Sequence, residues 1–281
     1  MGLLDGKAVI VTGAGTGLGR AYALHAAAEG ARVVINDVTV DRLEEVAGEI
    51  SALGGTVVSC PGSVANWTIA EGLVQECRTT FGGVDGLVNN AGVIRIGDPW
   101  DADEAGIRAM VEVNLMGAAF VGTHALRVMV EQGHGAIVNA TSSAQMGLAQ
   151  MSVYGATKGA LASLTYGWAL DARAQRIRVN AYAPVAYTAM VAGSSVAPAQ
   201  LPTTEDNAPV VSYLLSDLAA DITGQVIQRR GDGLYVMAHP DLTEHVATPE
   251  AWTTDAVARA LDPMLRAGAQ PLGDPRMRAA R

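Results

Sequence analysis

Cysteine is nearly missing from this chain of 281 residues: Cys60 and Cys77 are its only two. They form neither a metal-spaced cluster nor a disulfide framework, so each reads as a small buried hydrophobe, no metal site is expected, and a reducing compartment fits. Positive charge is short as well. Lys and Arg number 19 against 28 Asp and Glu, a formal net charge of -9, and no basic run appears before the final residues. That balance opposes nucleic-acid binding, which needs a basic footprint to neutralise phosphates. No segment approaches the unbroken apolar run of about 18 residues from which a membrane-spanning helix starts. The opening MGLLDGKAVIVTGAG carries an Asp and reaches glycine-rich sequence before any signal-peptide core of adequate length. Gly6 stands where a myristoylation signal needs Ser or Thr. A cytoplasmic protein with no membrane partner is expected. Apolar residues, in contrast, make up 49% of the chain, enough to bury the core of one large α/β domain or two ordinary ones. Small-molecule work is the function class that remains.

Short β-rich runs alternate with longer helical patterns. KAVIVT (7–12), RVVIND (32–37), TVVSC (56–60), GLVNN (86–90), GAIVNAT (135–141) and IRVNAYA (177–183) read as buried strands, and GQVIQR (224–229) adds a seventh. Between them, Leu18 to Glu29, Asp41 to Leu53, Trp67 to Phe81 and Ala102 to Glu131 are long enough for the crossover helices of βα units. NAPVVSYLLSD suggests a further helix before the last strand. The expected fold is α/β: an open, doubly wound parallel sheet in a single domain over residues 1–233. Residues 184–209 are rich in Pro, Ser, Thr and Ala without a sustained period, and read as a lid loop over a substrate site. Residues 234–281 read as a C-terminal extension with a short helix from Thr254 to Leu265, either surface-docked or partly disordered, or else shaping the pocket or subunit contacts.

The first strand runs straight into TGAGTGLGRA, which opens a helix. Glycines in such a turn permit positive φ and let backbone approach a pyrophosphate held on N–H groups at the positive helix end. The spacing is Thr-Gly-x-x-x-Gly-x-Gly, with Gly13, Thr16, Gly17, Leu18 and Gly19 as candidate contacts; Leu18 stands where Gly-x-Gly-x-x-Gly would place a glycine. Asp37 ends the second strand, where a carboxylate can accept hydrogen bonds from the adenosine ribose hydroxyls. A 2'-phosphate there would meet a fixed negative charge at about 4 Å, on the order of 4 kcal/mol at an effective dielectric near 20, which favours NAD over NADP. Arg20 and Arg42 lie near enough in sequence to serve a phosphate instead.

SVYGATKGALASL (152–164) sets Tyr154 and Lys158 four apart on one helical face, so the ammonium can reach the neighbourhood of the phenol. A free tyrosine has a pKa near 10, and a phenolate acting as general base needs nearby positive charge.

Taken in order, TGAGTGLG (12–19), Asp37, NNAG (89–92), Asn114 in VEVNLMG, IVNATSS (137–143), YGATK (154–158) and VNAYAP (179–184) resemble the short-chain dehydrogenase/reductase family over nearly all of residues 5–233. The resemblance implies a Rossmann-type fold, usually of seven parallel strands, in a homotetramer or dimer. It implies a nicotinamide cofactor, which the Asp37 charge makes NAD, with an alcohol or ketone as the small-molecule substrate. Tyr154 then exchanges the alcohol proton, Lys158 also holds the nicotinamide ribose, Ser142 holds the substrate oxygen, and Asn114 supports a water-linked relay to Lys158. Ser143 competes with Ser142, because Thr141 takes the first Ser position of the motif. NNAG brings Asn90, Ala91 and Gly92 beside the cofactor, while Asn89 steadies adjacent strands. On residues alone, Asn114 could equally be a buried local cap or kink.

Two departures from the family pattern stand out. Pro184 is followed by Val185 where Gly is common, and Ser63 occupies the place of an acidic residue that meets adenine, leaving Ser63 and Val64 as the adenine contacts. Thr188 resembles the family's contact to the carboxamide end. Ala144, Gln145, Met146, Met151, Val185, Met190 and Val191 are candidate substrate contacts, mostly apolar and flexible, which suits a terpenoid, a steroid or a 3-hydroxyacyl chain. Two other readings stand beside this one: an NADPH-dependent biosynthetic ketoreductase, and a cofactor-binding protein without turnover.

Overall fold

Eight short strands, most of them rich in Val, Ile and Ala, make one sheet in the computed structural model, which describes residues 2–186, 201–241 and 253–268, the last stretch with side chains to Leu261. They are β1 (Ala8–Thr12), β2 (Arg32–Asp37), β3 (Thr56–Pro61), β4 (Gly86–Asn89), β5 (Gly135–Ala140), β6 (Ile177–Ala183), β7 (Val226–Arg230) and β8 (Gly233–Val236). Their order is β3-β2-β1-β4-β5-β6-β7-β8. The first seven are parallel, and every residue of β1, β4 and β5 is buried, as a parallel sheet covered on both faces requires. The chain builds outward from β1 to β3 and then crosses back to β4 beside β1, so a crevice opens at the carboxyl ends of β1 and β4.

Strand periodicity sorts the core into two layers. Val9, Val11, Val33 and Ile35 point to the face covered by α1 (Gly17–Ala28), α2 (Val40–Ala52) and α7 (Ala208–Leu215). Ala8, Ile10, Val34 and Leu87 point to the face covered by α3 (Trp67–Phe81), α5 (Ala118–Gln132) and α6 (Ser152–Asp171). Each fully buried Ile or Leu contributes about 1.5–3 kcal/mol.

The helix expected over Ala102–Glu131 is present but not uniform. It starts as α4 (Glu104–Met110), widens into a π-helical turn over Val111–Gly117, and continues as α5. By length and composition Glu104–Gln132 could cross a membrane, yet half of its most apolar stretch is buried inside the protein, as a core helix's is.

The sheet has one more strand than expected. β8 pairs antiparallel with β7 across the two-residue connection Gly231-Asp232, with Gly231 at a φ of 55°. It is a short edge strand whose Leu234, Tyr235 and Val236 are exposed, so it lacks the buried pattern by which the others were legible. β8 carries the first of two units to Met237; the second, Ala238–Arg281, contains α8 (Thr254–Gly268), where the sequence indicates a helix over Thr254–Leu265. The centre of the expected lid, residues 187–200, lies outside the described residues, and Glu205–Asn207 forms a short 3-10 turn that leads into α7.

Candidate active site

The turn after β1 is shaped by glycine. Gly13 and Gly17 hold positive φ of 63° and 56°, and a Cβ on Gly19 would collide with the Gly13 carbonyl and the Asn90 side chain. Thr16 is the N-cap of α1 but its hydroxyl makes no capping bond, and no acidic residue stands in the first turn. The first N–H groups of the helix and their partial positive charge are therefore left for an anion. Asp37 closes the turn from β2, its Oδ2 accepting the Gly15 N–H at 3.0 Å and its Oδ1 the Thr39 N–H at 3.0 Å.

The neighbouring turn after β4 is fastened to this one. Thr12 Oγ1 accepts the N–H groups of Asn90 and Ala91 at 3.0 and 3.1 Å, and Asn90 Nδ2 donates to the carbonyls of Thr12 and Gly13. Asn89 faces inward and donates to Asn139 Oδ1 at 2.9 Å, tying β4 to β5. Between the two turns lies a cleft of about 580 Å³ lined by Gly13, Thr16, Gly17, Leu18, Gly19 and Asp37 on one side and residues 90–95 on the other. Backbone open to close approach, a free helix start and one carboxylate at the far end fit a dinucleotide.

Asn114 sits in the π-helical turn, fully buried. Its Oδ1 accepts the Val93 N–H at 2.7 Å, and its Nδ2 donates to the Val93 carbonyl at 2.9 Å and to Thr157 Oγ1 at 3.1 Å. A π-turn places one extra residue in the helical circuit, and here it delivers an amide to the strand-end segment. Of the two accounts left open by the sequence, a local backbone irregularity is thus real, and it serves to join Val93 to α6.

Tyr154 and Lys158 stand on the first turns of α6. Lys158 Nζ lies 5.7 Å from the Tyr154 ring centre and donates to the Ala140 carbonyl at 2.7 Å. Burial without a carboxylate partner pulls the ammonium down to about 8. Burial pushes the Tyr154 phenol above its ordinary value, while a hydrogen bond from Ser142 pulls it back. Ser142 is the serine that lowers the phenol's pKa, and its hydroxyl also accepts the Ala144 N–H at 3.2 Å. Asn114 Oδ1 and Lys158 Nζ both flank Gly92, at 3.3 and 3.6 Å from where its Cβ would be. Asn114, Ser142, Tyr154 and Lys158 thus gather at the end of the cleft away from Asp37.

A family model described as short chain dehydrogenase matches residues 7–198. The chain belongs to the short-chain dehydrogenase family. Among its relatives, an L-rhamnose 1-dehydrogenase (NAD(P)(+)) from Sphingomonas is 35% identical, covering 84% of this chain and 99% of its own. A solved short chain dehydrogenase from Mycobacterium avium superposes with a TM-score of 0.87 at 34% identity, covering 96% of this chain and 98% of its own. A gluconate 5-dehydrogenase from Burkholderia cenocepacia, solved with NADP and tartrate, gives 0.76 at 28% identity, with 81% and 95% covered. As a short-chain dehydrogenase the protein is an oxidoreductase of alcohol or ketone groups that uses a nicotinamide cofactor.

Some expected contacts fall differently in this dehydrogenase. Val64 is buried in the core, where it packs on Gly117, and Ser63 turns its hydroxyl to the Ala65 N–H. Among the described residues that line the cleft, neither is present, and the Val64 side chain closes the core beside the π-turn. Pro184 and Val185 follow β6 half-buried, and Asn207 takes the Val185 carbonyl at 3.2 Å. Thr188, Met190 and Val191 lie outside the described residues. Ala144 is buried against Gly155 of α6, its carbonyl lying closer to that glycine than its Cβ. Sequence reasoning missed Thr12 and Thr157 as structural partners of the site. Both belong to motifs it quoted, but a threonine's hydrogen-bond partners cannot be read from one strand or helix alone. Val93, Ile94 and Arg95, directly after NNAG, are further cleft residues it did not name.

Proposed function

We propose that this dehydrogenase interconverts a secondary alcohol and a ketone with NAD(H), and that its substrate is hydrophobic, of terpenoid, steroid or 3-hydroxyacyl type. The observation that carries the reaction is the Tyr154 phenol, hydrogen-bonded by Ser142 and one helical turn from the buried Lys158. Tyr154 takes the alcohol proton in oxidation and returns it in reduction; Ser142 orients the substrate oxygen; Lys158 supplies positive charge that favours the phenolate. A nicotinamide cofactor, held by the glycine turn over residues 13–19, Asp37 and residues 90–95, would supply the hydride chemistry. Asp37 supports NAD: its carboxylate is fixed by two backbone N–H groups at the ribose end of the cleft. Arg20 is committed elsewhere, hydrogen-bonded to Glu49 and 3.8 Å from Glu205. Met146 and Met151, half-buried beside the start of α6, support an apolar substrate. The reading includes a cytoplasmic homotetramer or dimer.

An NADPH-dependent ketoreductase is the second reading, and a specific observation favours it. Arg42 is exposed, and its Cβ lies beside Gly15 and the Asp37 carboxylate, within reach of a 2'-phosphate. The test of both is reduction of NAD and of NADP, followed by absorbance, against steroid, terpenoid and 3-hydroxyacyl thioester alcohols, with Tyr154→Phe as control. Turnover with NAD that disappears in the control supports the proposal. Turnover with NADP alone removes the role given to Asp37, and binding of cofactor without turnover of any alcohol returns the protein to a binding role.

A further inference from the structure

Among the described residues, two that are not glycine hold a positive φ, Gln150 at 63° and Arg176 at 56°. Glutamine takes this conformation against a steric cost that glycine escapes, so its surroundings must hold it. At Gln150 the holders are visible. Its carbonyl accepts the Gly97 N–H at 3.0 Å, and its Nε2 donates to Asp98 Oδ1 at 3.3 Å. Gly97 and Asp98 continue the segment of Val93, Ile94 and Arg95 that walls the dinucleotide cleft. Gln150 itself stands just ahead of α6, within one turn's length of Tyr154.

The other end of the same wall is held by Asn114, which grips both backbone groups of Val93 and reaches Thr157 of α6. The wall is therefore tied to the tyrosine's helix at two places, through Thr157 and through Gln150. Beside the second tie a surface cleft of about 180 Å³ opens among Ile107, Met110 and Val153, with Gly97, Asp98 and Gln150 on its lining, so part of this wall faces open space and not packed side chains. Its position depends on hydrogen bonds.

We propose that Gln150 is a positioning residue: it fixes the cofactor-facing segment 93–98 against the helix that carries Tyr154, so that cofactor and phenol are held in register. Register of this kind governs rate, because a misplacement of about 1 Å costs up to about a hundredfold. The inference rests on the oxidoreductase reading above, but part of its test does not.

Gln150→Glu sets a carboxylate against Asp98 and breaks the side-chain bond of the tie, leaving the Gly97 N–H on the residue 150 carbonyl. NADH is titrated by fluorescence, or NADPH where the wild type prefers it, and alcohol turnover and melting temperature are measured on the same samples. The single variant is expected to raise the cofactor dissociation constant about fivefold and to lower kcat by a similar factor. Adding Asp98→Asn recreates the bond in reverse, the new amide donating to the new carboxylate, and is expected to restore both values to within about twofold. Rescue by reversal is a result that general loosening of the fold does not give. An unchanged dissociation constant in Gln150→Glu, or a double variant no better than the single, overturns the proposal. Wild-type protein that binds NADH yet turns over no alcohol overturns the oxidoreductase reading alone, and the binding comparison still decides the role of Gln150.

Discussion

Lys158 gives its hydrogen bond to the Ala140 carbonyl while its ammonium lies 5.7 Å from the centre of the Tyr154 ring. A backbone carbonyl orients the amine without neutralising it. Among the described residues no anion stands beside the buried lysine, and loss of water lowers its pKa from 10.5 to about 8. The charge that a phenolate needs is thus kept in place at a cost to the folded state.

That cost has a sign. Between pH 8 and 10.5 the unfolded chain holds a proton on Lys158 that the folded chain has released, so folding stability rises with pH across this window. Lys158→Met has no such group. Wild type minus variant should therefore climb by on the order of 3 kcal/mol from pH 8 to 10.5, measured by urea unfolding. A flat difference would mean that the ammonium is solvated in the folded protein.

Ser142 and Tyr154 give a second pH test. The Ser142 hydrogen bond lowers the phenol's pKa against the upward push of burial, so its removal lets the pKa rise further. Since alcohol oxidation needs the phenolate, the rising limb of the rate against pH should move to higher pH in Ser142→Ala. Ser143→Ala should leave that limb where it is. The two variants exchanging these behaviours would transfer the role to Ser143.

Asp37 carries the choice of cofactor. Replacing it with Ser removes the negative charge while keeping an acceptor near Gly15, and should shift the ratio of kcat/KM for NADP to that for NAD upward by about 10- to 100-fold. A wild type that already prefers NADP would make Arg42, not Asp37, the residue that reads the ribose.

The strands of buried β-branched residues were legible because a parallel sheet writes continuous apolar runs; β2 and β6 fall on RVVIND and IRVNAYA without a residue's difference. β8 was not, since an exposed edge strand buries little and only the Gly231-Asp232 pair marked its turn. The residues proposed to carry the chemistry each stand within a local motif. What stayed hidden were cross-links between motifs: Thr12 to NNAG, Thr157 to Asn114, Gln150 to Asp98. Such bonds depend on which strands become neighbours. The π-turn was hidden for a related reason, as its wider circuit is stabilised by what Asn114 bonds on another element and not by its own propensities.

Asn114 is accordingly where the fold and the site are hardest to separate, and a comparison with another asparagine makes the point measurable. Asn66 caps α3 from the surface, accepting the N–H groups of Thr68 and Ile69 at 2.9 and 3.1 Å, and Asn66→Ala should cost about 1 kcal/mol, because water replaces the lost acceptor. Asn114→Leu has nearly the same volume as the residue it replaces but strands both backbone groups of Val93, while the Thr157 hydroxyl loses a donor and keeps its own bond to the Tyr154 carbonyl. It should cost about 2 kcal/mol or more, at about 1 kcal/mol or more for each of the two Val93 groups left without a partner. Denaturant unfolding of the two variants side by side tests this. If Asn114→Leu costs no more than Asn66→Ala, the amide is not what fastens the cofactor wall to α6, and the π-turn must be held by the packing of Val64 on Gly117 instead.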